Sequence, residues 1–415
     1  MDATATRQLD RAVVDDGIRW LNFFNGRVLS AEDLRTDHDA ITEARRQLGR
    51  GIGAGVVTGL EVSEAILVSS AGSPILAVKG GLAFNEDGQA LELRRDITVG
   101  LMRVDAPTGG EGADFSNCDV VLPGTTGHGV YVLTVGPAMS DSGKAVVAGL
   151  GNMPADCNTA YSVEGVRFRL FPVPLREGDL DEPELLENRI AYRLFGGGND
   201  TWRADQDPNG PPAPPTLLEV MRASCFGSSD VPLALIHWEP VEGIRFVDLW
   251  SVRRDAARRS PAAHPGIRVG DDGAAVGMAR FLQFQAQVAL LRTGSSAAES
   301  VVASRHFEHL PPVGILPLPL GSSRGFDVLR FFEGLTARSE VHIEGAHVES
   351  LIRESFSYVP IQLAAREAIR LYVVRENVQS RVRRCVVFAS GHLRYRADGR
   401  FDLAYWNFAN YAERM

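Results

Sequence analysis

Residues 22–62 read NFFNGRVLSAEDLRTDHDAITEARRQLGRGIGAGVVTGLEV, and each part of this stretch obeys a local rule. Asn25-Gly26 is a turn signal. Ser30 with Asp33 three residues on has the spacing of an N-cap and a first-turn acid, so a helix is predicted from Ala31. Leu34, His38, Ile41, Ala44 and Leu48 recur at three- and four-residue steps beside Arg35, Asp39, Glu43 and Arg46, a modest apolar stripe. The helix is predicted to stop at Gly49. Gly51, Gly53 and Gly55 follow, and Val56-Val57 and Leu60 to Val62 then read as a strand whose glycines allow close backbone approach.

Working outward, the period changes to two. Residues 75–99, ILAVKGGLAFNEDGQALELRRDITV, alternate apolar and polar positions around Asp87-Gly88, a β-hairpin signal. Residues 129–135 (GVYVLTV) and 163–173 (VEGVRFRLFPV) are predicted as further strands separated by glycine-rich loops. Residues 183–195 place Leu185, Leu186, Ile190 and Leu194 on one helical face, with Pro183 suited to the first turn. Residues 196–216, dense in Gly and Pro, read as a linker loop. Residues 231–238 (VPLALIHW) and 244–249 (IRFVDL) read as a strand pair turning near Glu242-Gly243. A helix is expected over residues 274–291, and a terminal hairpin over 385–406 turning at Asp398-Gly399.

The resulting expectation is an α+β, β-rich fold: an N-terminal helix, then short antiparallel β-sheet modules, then a C-terminal mixed α/β region. The domain reading is 1–62 for an N-terminal helix-strand anchor, 63–195 for a β-rich domain, 196–216 for the linker, 217–260 for a β segment and 261–415 for the C-terminal domain. At 415 residues the chain is long enough for two or three domains. Its 45% hydrophobic content excludes wholesale disorder. With 43 basic and 52 acidic residues the net charge is -9, which gives no global attraction to phosphate backbones, so nucleic acid is not an expected partner. The acidic N-terminus does not read as a secretory signal. Residues 310–320 form an apolar run broken by prolines and far short of the roughly 20 residues a membrane span needs. Cys118, Cys157, Cys225 and Cys385 lie far apart without a CxxC pair, as expected of reduced thiols.

Chemical motifs fare poorly. Gly321-Ser322-Ser323-Arg324-Gly325 matches the G-x-S-x-G elbow of a serine hydrolase, but the proline-rich residues before it do not suit the central strand that elbow requires. Ser142-Gly143-Lys144-Ala145 has Ala138 where a phosphate loop begins with glycine, and Ala145 where it needs Ser or Thr. The GIGAG run of residues 51–55 follows a helix rather than a strand, so it is not a dinucleotide fingerprint. His306 with His309, and His342 with Glu344 and His347, are the only metal-like groupings visible in the sequence, and each is incomplete. No catalytic residue, cofactor or metal site is expected. Arg381, Arg383 and Arg384 form a basic cluster that reads as a solvated face, the alternative being a pairing with carboxylates on a partner subunit.

The stretch 22–62 also resembles the N-terminal motif of proteins encoded with phage tails and phage-tail-like contractile injection systems. These share an aromatic-Asn/Asp-Gly-Arg start, an L-x-A-x-D-L helix entry, a basic helix end and a G-V-V-x-G-L-x-V strand. Residues 80–93, GGLAFNEDGQALEL, are similar to their next hairpin, and GVYVLTV with Cys157, Tyr161 and Phe168 to the segment after it. The helix end RRQLGRGIGAG departs from relatives richer in His, Asn and Trp. VPLALIHW, the Arg-rich loop after it, the helix from Ala274 and HFEHLPPVGILPLPL before FFEGL are more distantly similar to the trimeric baseplate protein of type VI secretion machines.

The resemblance implies a structural subunit of the baseplate or of an attached adaptor or fibre. It would assemble in the bacterial cytoplasm as part of a phage-tail-like particle that is then released or docked at a membrane. Its partners would be other copies of itself, a trimer being favoured, neighbouring tail and baseplate proteins, and a membrane complex or receptor. Expected anchoring residues are Phe23, Phe24, Leu29 and Leu34 near the N-terminus, and Tyr405, Trp406, Phe408 and Tyr411 in the aromatic tail. Two other functions compete: a receptor- or carbohydrate-binding fibre module using Trp202, and a hydrolase using Ser323.

Overall fold

The computed structural model describes residues 17–65, 75–101, 128–147, 156–196, 215–239, 242–256, 271–294, 297–356, 358–375 and 384–393. Among these residues are six helices and sixteen strands in small, largely antiparallel sheets, the expected β-rich α+β fold.

Helix α1 (Ala31–Ile52) begins where the Ser30 spacing puts it, because Ser30 Oγ accepts from the Asp33 N–H while the Asp33 carboxylate accepts from the Ser30 N–H. It does not stop at Gly49. Gly53, at φ +102°, ends it instead. Gly49 seats the helix: it lies against the backbone of Gly88, where any Cβ would overlap the Gly88 carbonyl. Nor is the Leu34 to Leu48 stripe the packed face. Both of those leucines are exposed, and the buried positions are Ala40 and Gly49.

After α1 come β1 (Gly55–Gly59), β2 (Val62–Glu64), β3 (Ile75–Val78), β4 (Gly81–Phe84), β5 (Ala90–Leu93) and β6 (Ile97–Gly100). They form two three-stranded sheets, β1-β4-β5 and β2-β3-β6. The β4–β5 hairpin turns at Asp87-Gly88 as expected, with Phe84 opposite Ala90.

The strands expected around residues 129–135 and 163–173 are longer than the sequence suggests. β7 (Gly129–Val147) and β8 (Asp156–Pro172) form one hairpin, in register from Tyr131 opposite Pro172 out to Val147 opposite Asp156. Each strand satisfies the other's backbone, so pairing continues beyond the part that carries a buried pattern.

Next come helix α2 (Pro183–Phe195), matching its predicted span, and helix α3 (Leu217–Ser224), which was not foreseen although Thr216 and Glu219 form a capping box. β9 (Val231–Glu239) and β10 (Gly243–Asp248) join β7 and β8 in a sheet of order β10-β9-β7-β8. This central sheet is covered on both faces. Leu133, Leu233, Ile236 and Trp238 pack towards the small N-terminal sheets, while Val132, Phe171 and Leu235 pack on Leu186, Ile190 and Leu194 of α2 and on Met221 and Phe226. Burial on both sides explains why VPLALIHW is a continuous apolar run.

The C-terminal half contains α4 (Asp271–Thr293), β11 (His309–Leu310), β12 (Val313–Pro317), α5 (Val328–Phe331), β13 (Ala337–Glu344), α6 (Gly345–Ser355), β14 (Ile361–Gln362), β15 (Ile369–Arg375) and β16 (Cys385–Ser390). Its main sheet has the order β12-β16-β15-β13, with β13 parallel to β15. The core is aromatic: Phe284, Phe307, Phe326, Phe331, Phe332 and Phe388 are all buried together. The two halves are joined through α2. Asn188 Oδ1 accepts from the N–H groups of Glu308 (2.9 Å) and His309 (3.0 Å), and its amide donates to the His309 carbonyl (3.0 Å). No described helix is long and apolar enough to cross a membrane.

Candidate assembly surface

The N-terminal arm is ordered by one arginine. Gly26 adopts φ +89° in the Asn25-Gly26 turn, which lets Arg27 donate back to the Asn22 carbonyl (2.8 Å) and forward to Asp33 Oδ1 (2.7 Å). Asp33 also accepts from the hydroxyl (2.8 Å) and N–H (2.9 Å) of Ser30. The backbone N–H of Ser30, then its hydroxyl and Arg27, hold the Asp33 carboxyl down from 3.8 to about 2.

The apolar side chains around this clasp face solvent, with Arg27 lying 5.9 Å from the Phe24 ring centroid. Phe23 is 59% exposed, Phe24 63% and Val28 89%, with Trp20, Leu29 and Leu34 exposed beside them. Four of the expected anchoring residues, Phe23, Phe24, Leu29 and Leu34, therefore share one solvent-facing segment. Leu48 and Ile52 at the far end of α1 and Val57 on β1 are exposed as well. Isolated exposed apolar residues are ordinary, but a run of this density makes the segment a candidate interaction surface. The aromatic tail residues Tyr405, Trp406, Phe408 and Tyr411, and Trp202, lie outside the described residues.

The outer part of the β7–β8 hairpin is a second surface. Beyond Gly136 the ribbon leaves the body, and Met139, Tyr161 and Val163 are exposed on it. At its root the buried Asp230 carboxylate accepts from Arg169 of β8 and from Thr134 Oγ1 of β7, tying both strands to the start of β9. A lone two-stranded ribbon is marginal in water, so this one depends on that root.

The other sequence candidates do not converge. Ser323 lies in an exposed turn closed by hydrogen bonds with Leu320, and the nearest helix, α5, has only four residues, so no strand-to-helix elbow is formed. His309 stacks on Tyr192 with ring centroids 5.0 Å apart and has its backbone held by Asn188, the arrangement of a packing residue. His342 and Glu344 are exposed on β13, whereas His347 is buried on α6.

Two clusters escaped the sequence reading. In the first, burial and the neighbouring Asp248 carboxylate push Glu187 from 4.5 to about 8, and burial also raises Asp248 against its bonds from Ser251 and the Trp250 N–H. Burial, with Arg280 and Arg222 near, lowers Arg254 to about 10. Arg254 and Arg280 lie 5.5 and 5.9 Å from the Phe195 ring centroid, placing cations at the C-terminus of α2. In the second, His128, His237 and Glu239 meet at the end of the central sheet, which corrects the expectation that the only metal-like groupings lie after residue 300. His237 and Glu239 stand two apart in a strand and so share a face, a signal the sequence reading did not use. Burial, with His128 and Arg245 beside it and Glu239 acting oppositely, takes His237 down to about 4.

No protein-family model matches the chain, and no curated protein matches it significantly.

Proposed function

We propose that the chain is a structural subunit of a contractile phage-tail-like particle, in the baseplate or in an attached adaptor or fibre. The observation that carries this reading is the ordered, solvent-facing apolar arm of Trp20, Phe23, Phe24, Val28 and Leu29 leading into a mostly exposed α1. A surface of this kind is completed by another chain, and permanent interfaces of about 2,000 Å² or more are built from such apolar surface. The projecting β7–β8 ribbon supplies a second contact, and the motif in residues 22–62 gives the resemblance its direction.

The full-length chain, weighed in solution by light scattering, is expected to form trimers or a sixfold assembly. Replacing Phe23 and Phe24 together with serine shifts the population towards monomer while circular dichroism shows the fold retained. A wild-type chain that stays monomeric, with no tail proteins copurifying from its native particle, overturns the reading.

A further inference from the structure

His128, His237 and Glu239 are brought together by strand register. β7 and β9 are antiparallel, with Gly129 opposite Trp238 and Val130 opposite His237. His128 therefore stands across from Glu239, and side-chain alternation puts all three residues on one face of the sheet. The two histidine Nε2 atoms lie 3.3 Å apart, and Glu239 Oε1 lies 3.7 Å from His128 Nε2 and 3.5 Å from His237 Nε2. His237 is buried, its ring centroid 5.4 Å from Phe246 and 5.5 Å from His128, so the imidazole is fixed by packing. His128 is at the surface and Glu239 is half-buried.

Three atoms able to ligate a metal thus lie within 3.7 Å of one another, the two imidazole nitrogens also close enough to share a proton. Their spacing selects the ion. With bonds of about 2.1 Å, the three separations subtend roughly 104°, 113° and 124° at the metal, which bracket the tetrahedral angle of zinc sites. The right angles of an octahedral magnesium or facial-triad iron site call for ligands set closer together. Arg245 approaches the same carboxylate oxygen, with Nε 3.8 Å from Glu239 Oε1, but its guanidinium is already engaged by Glu242.

The geometry points to a binding site for a first-row divalent cation, zinc by its coordination, held by His128 Nε2, His237 Nε2 and Glu239 Oε1. Three protein ligands leave one tetrahedral position for water. Bound there, the ion pins the start of β7 to the end of β9. This assignment is independent of the assembly reading, because it concerns one chain and its own residues.

The test uses the full-length chain, dialysed against chelator, then titrated with Zn²⁺ alone by calorimetry and with Co²⁺ by visible absorption. One equivalent of Zn²⁺ per chain and the intense visible bands of four-coordinate Co²⁺ are expected. His128→Ala and Glu239→Gln, which spare the buried His237, each remove a direct ligand and weaken Zn²⁺ binding by at least roughly 100-fold, no less than the upper end of what loss of an outer-shell partner costs. Failure of the wild-type chain to take up Zn²⁺, or unaltered affinity in both folded variants, overturns the assignment.

Discussion

Helices α1 and α4 are almost equal in length, 22 and 23 residues, and the fold treats them in opposite ways. α1 is strongly amphipathic and well capped, yet only Ala40 and Gly49 are buried along it. α4 shows little segregation of apolar from polar residues, yet it is buried along much of its length, with Met278 and Leu290 left exposed. Phe284 and Val288 enter the aromatic core, and Ala279 packs on Tyr192 and Phe195 of α2. Even its glutamines are used: Gln283 donates to Gln287, Gln287 to the His306 carbonyl, and Gln285 to the Ile315 carbonyl. A helix whose polar side chains find partners within the protein can be buried without a purely apolar stripe. α1 instead leaves Leu34 and Leu48, the ends of its modest stripe, in water, the kind of surface the proposed assembly would cover.

That contrast breaks most visibly at Phe284, whose ring centroid lies 5.3 Å from those of both Phe307 and Phe388. Phe284→Ala is expected to lower stability by about 3–5 kcal/mol in denaturant titration, because the aromatic core cannot collapse into the void. Gly49→Ala comes next. Its methyl meets the Gly88 backbone, and a loss of about 1–3 kcal/mol is expected, with faster amide exchange at the β4–β5 turn. Unchanged exchange there would mean that α1 does not rest on the hairpin.

Ser30→Ala removes the α1 cap and costs about 1 kcal/mol of local helix stability, read as exchange of the first-turn amides. Acid should reproduce part of this effect. A carboxyl held below its ordinary value stabilises above that value and loses the contribution as pH falls, so the first turn should fray between about pH 4 and about pH 2, as Asp33 protonates. The smallest effect on folding is expected at Leu48, 71% exposed: Leu48→Ser moves global stability by less than about 0.5 kcal/mol. Its consequence appears in oligomer mass instead, and a large folding defect would show that α1 is core after all.

The same two helices show how far the sequence could be read. The start of α1 was legible because Ser30 and Asp33 satisfy each other within one turn, and the span of α2 because Pro183 and the leucine spacing are local too. Gly49 was misread as a stop. Its role depends on Gly88, far away in the chain, and glycine at a close approach looks the same in sequence as glycine at a terminus. The outer halves of β7 and β8 were read as loops because neither has a buried face to print a pattern of two. Phe23, Phe24, Leu29 and Leu34 were legible as apolar residues in a polar context. The meeting of His128 with His237 was not, since it rests on a pairing register that no local spacing encodes.

The β7–β8 ribbon has a mechanical consequence. The strands that form its tip run unbroken into the central sheet, where β7 lies between β8 and β9. A pull on the tip is therefore directed along the β7–β9 ladder, and its hydrogen bonds resist together in shear rather than unzipping one after another. The Arg169-Asp230 pair sits where that load enters the body, as a bolt does at the root of a lever.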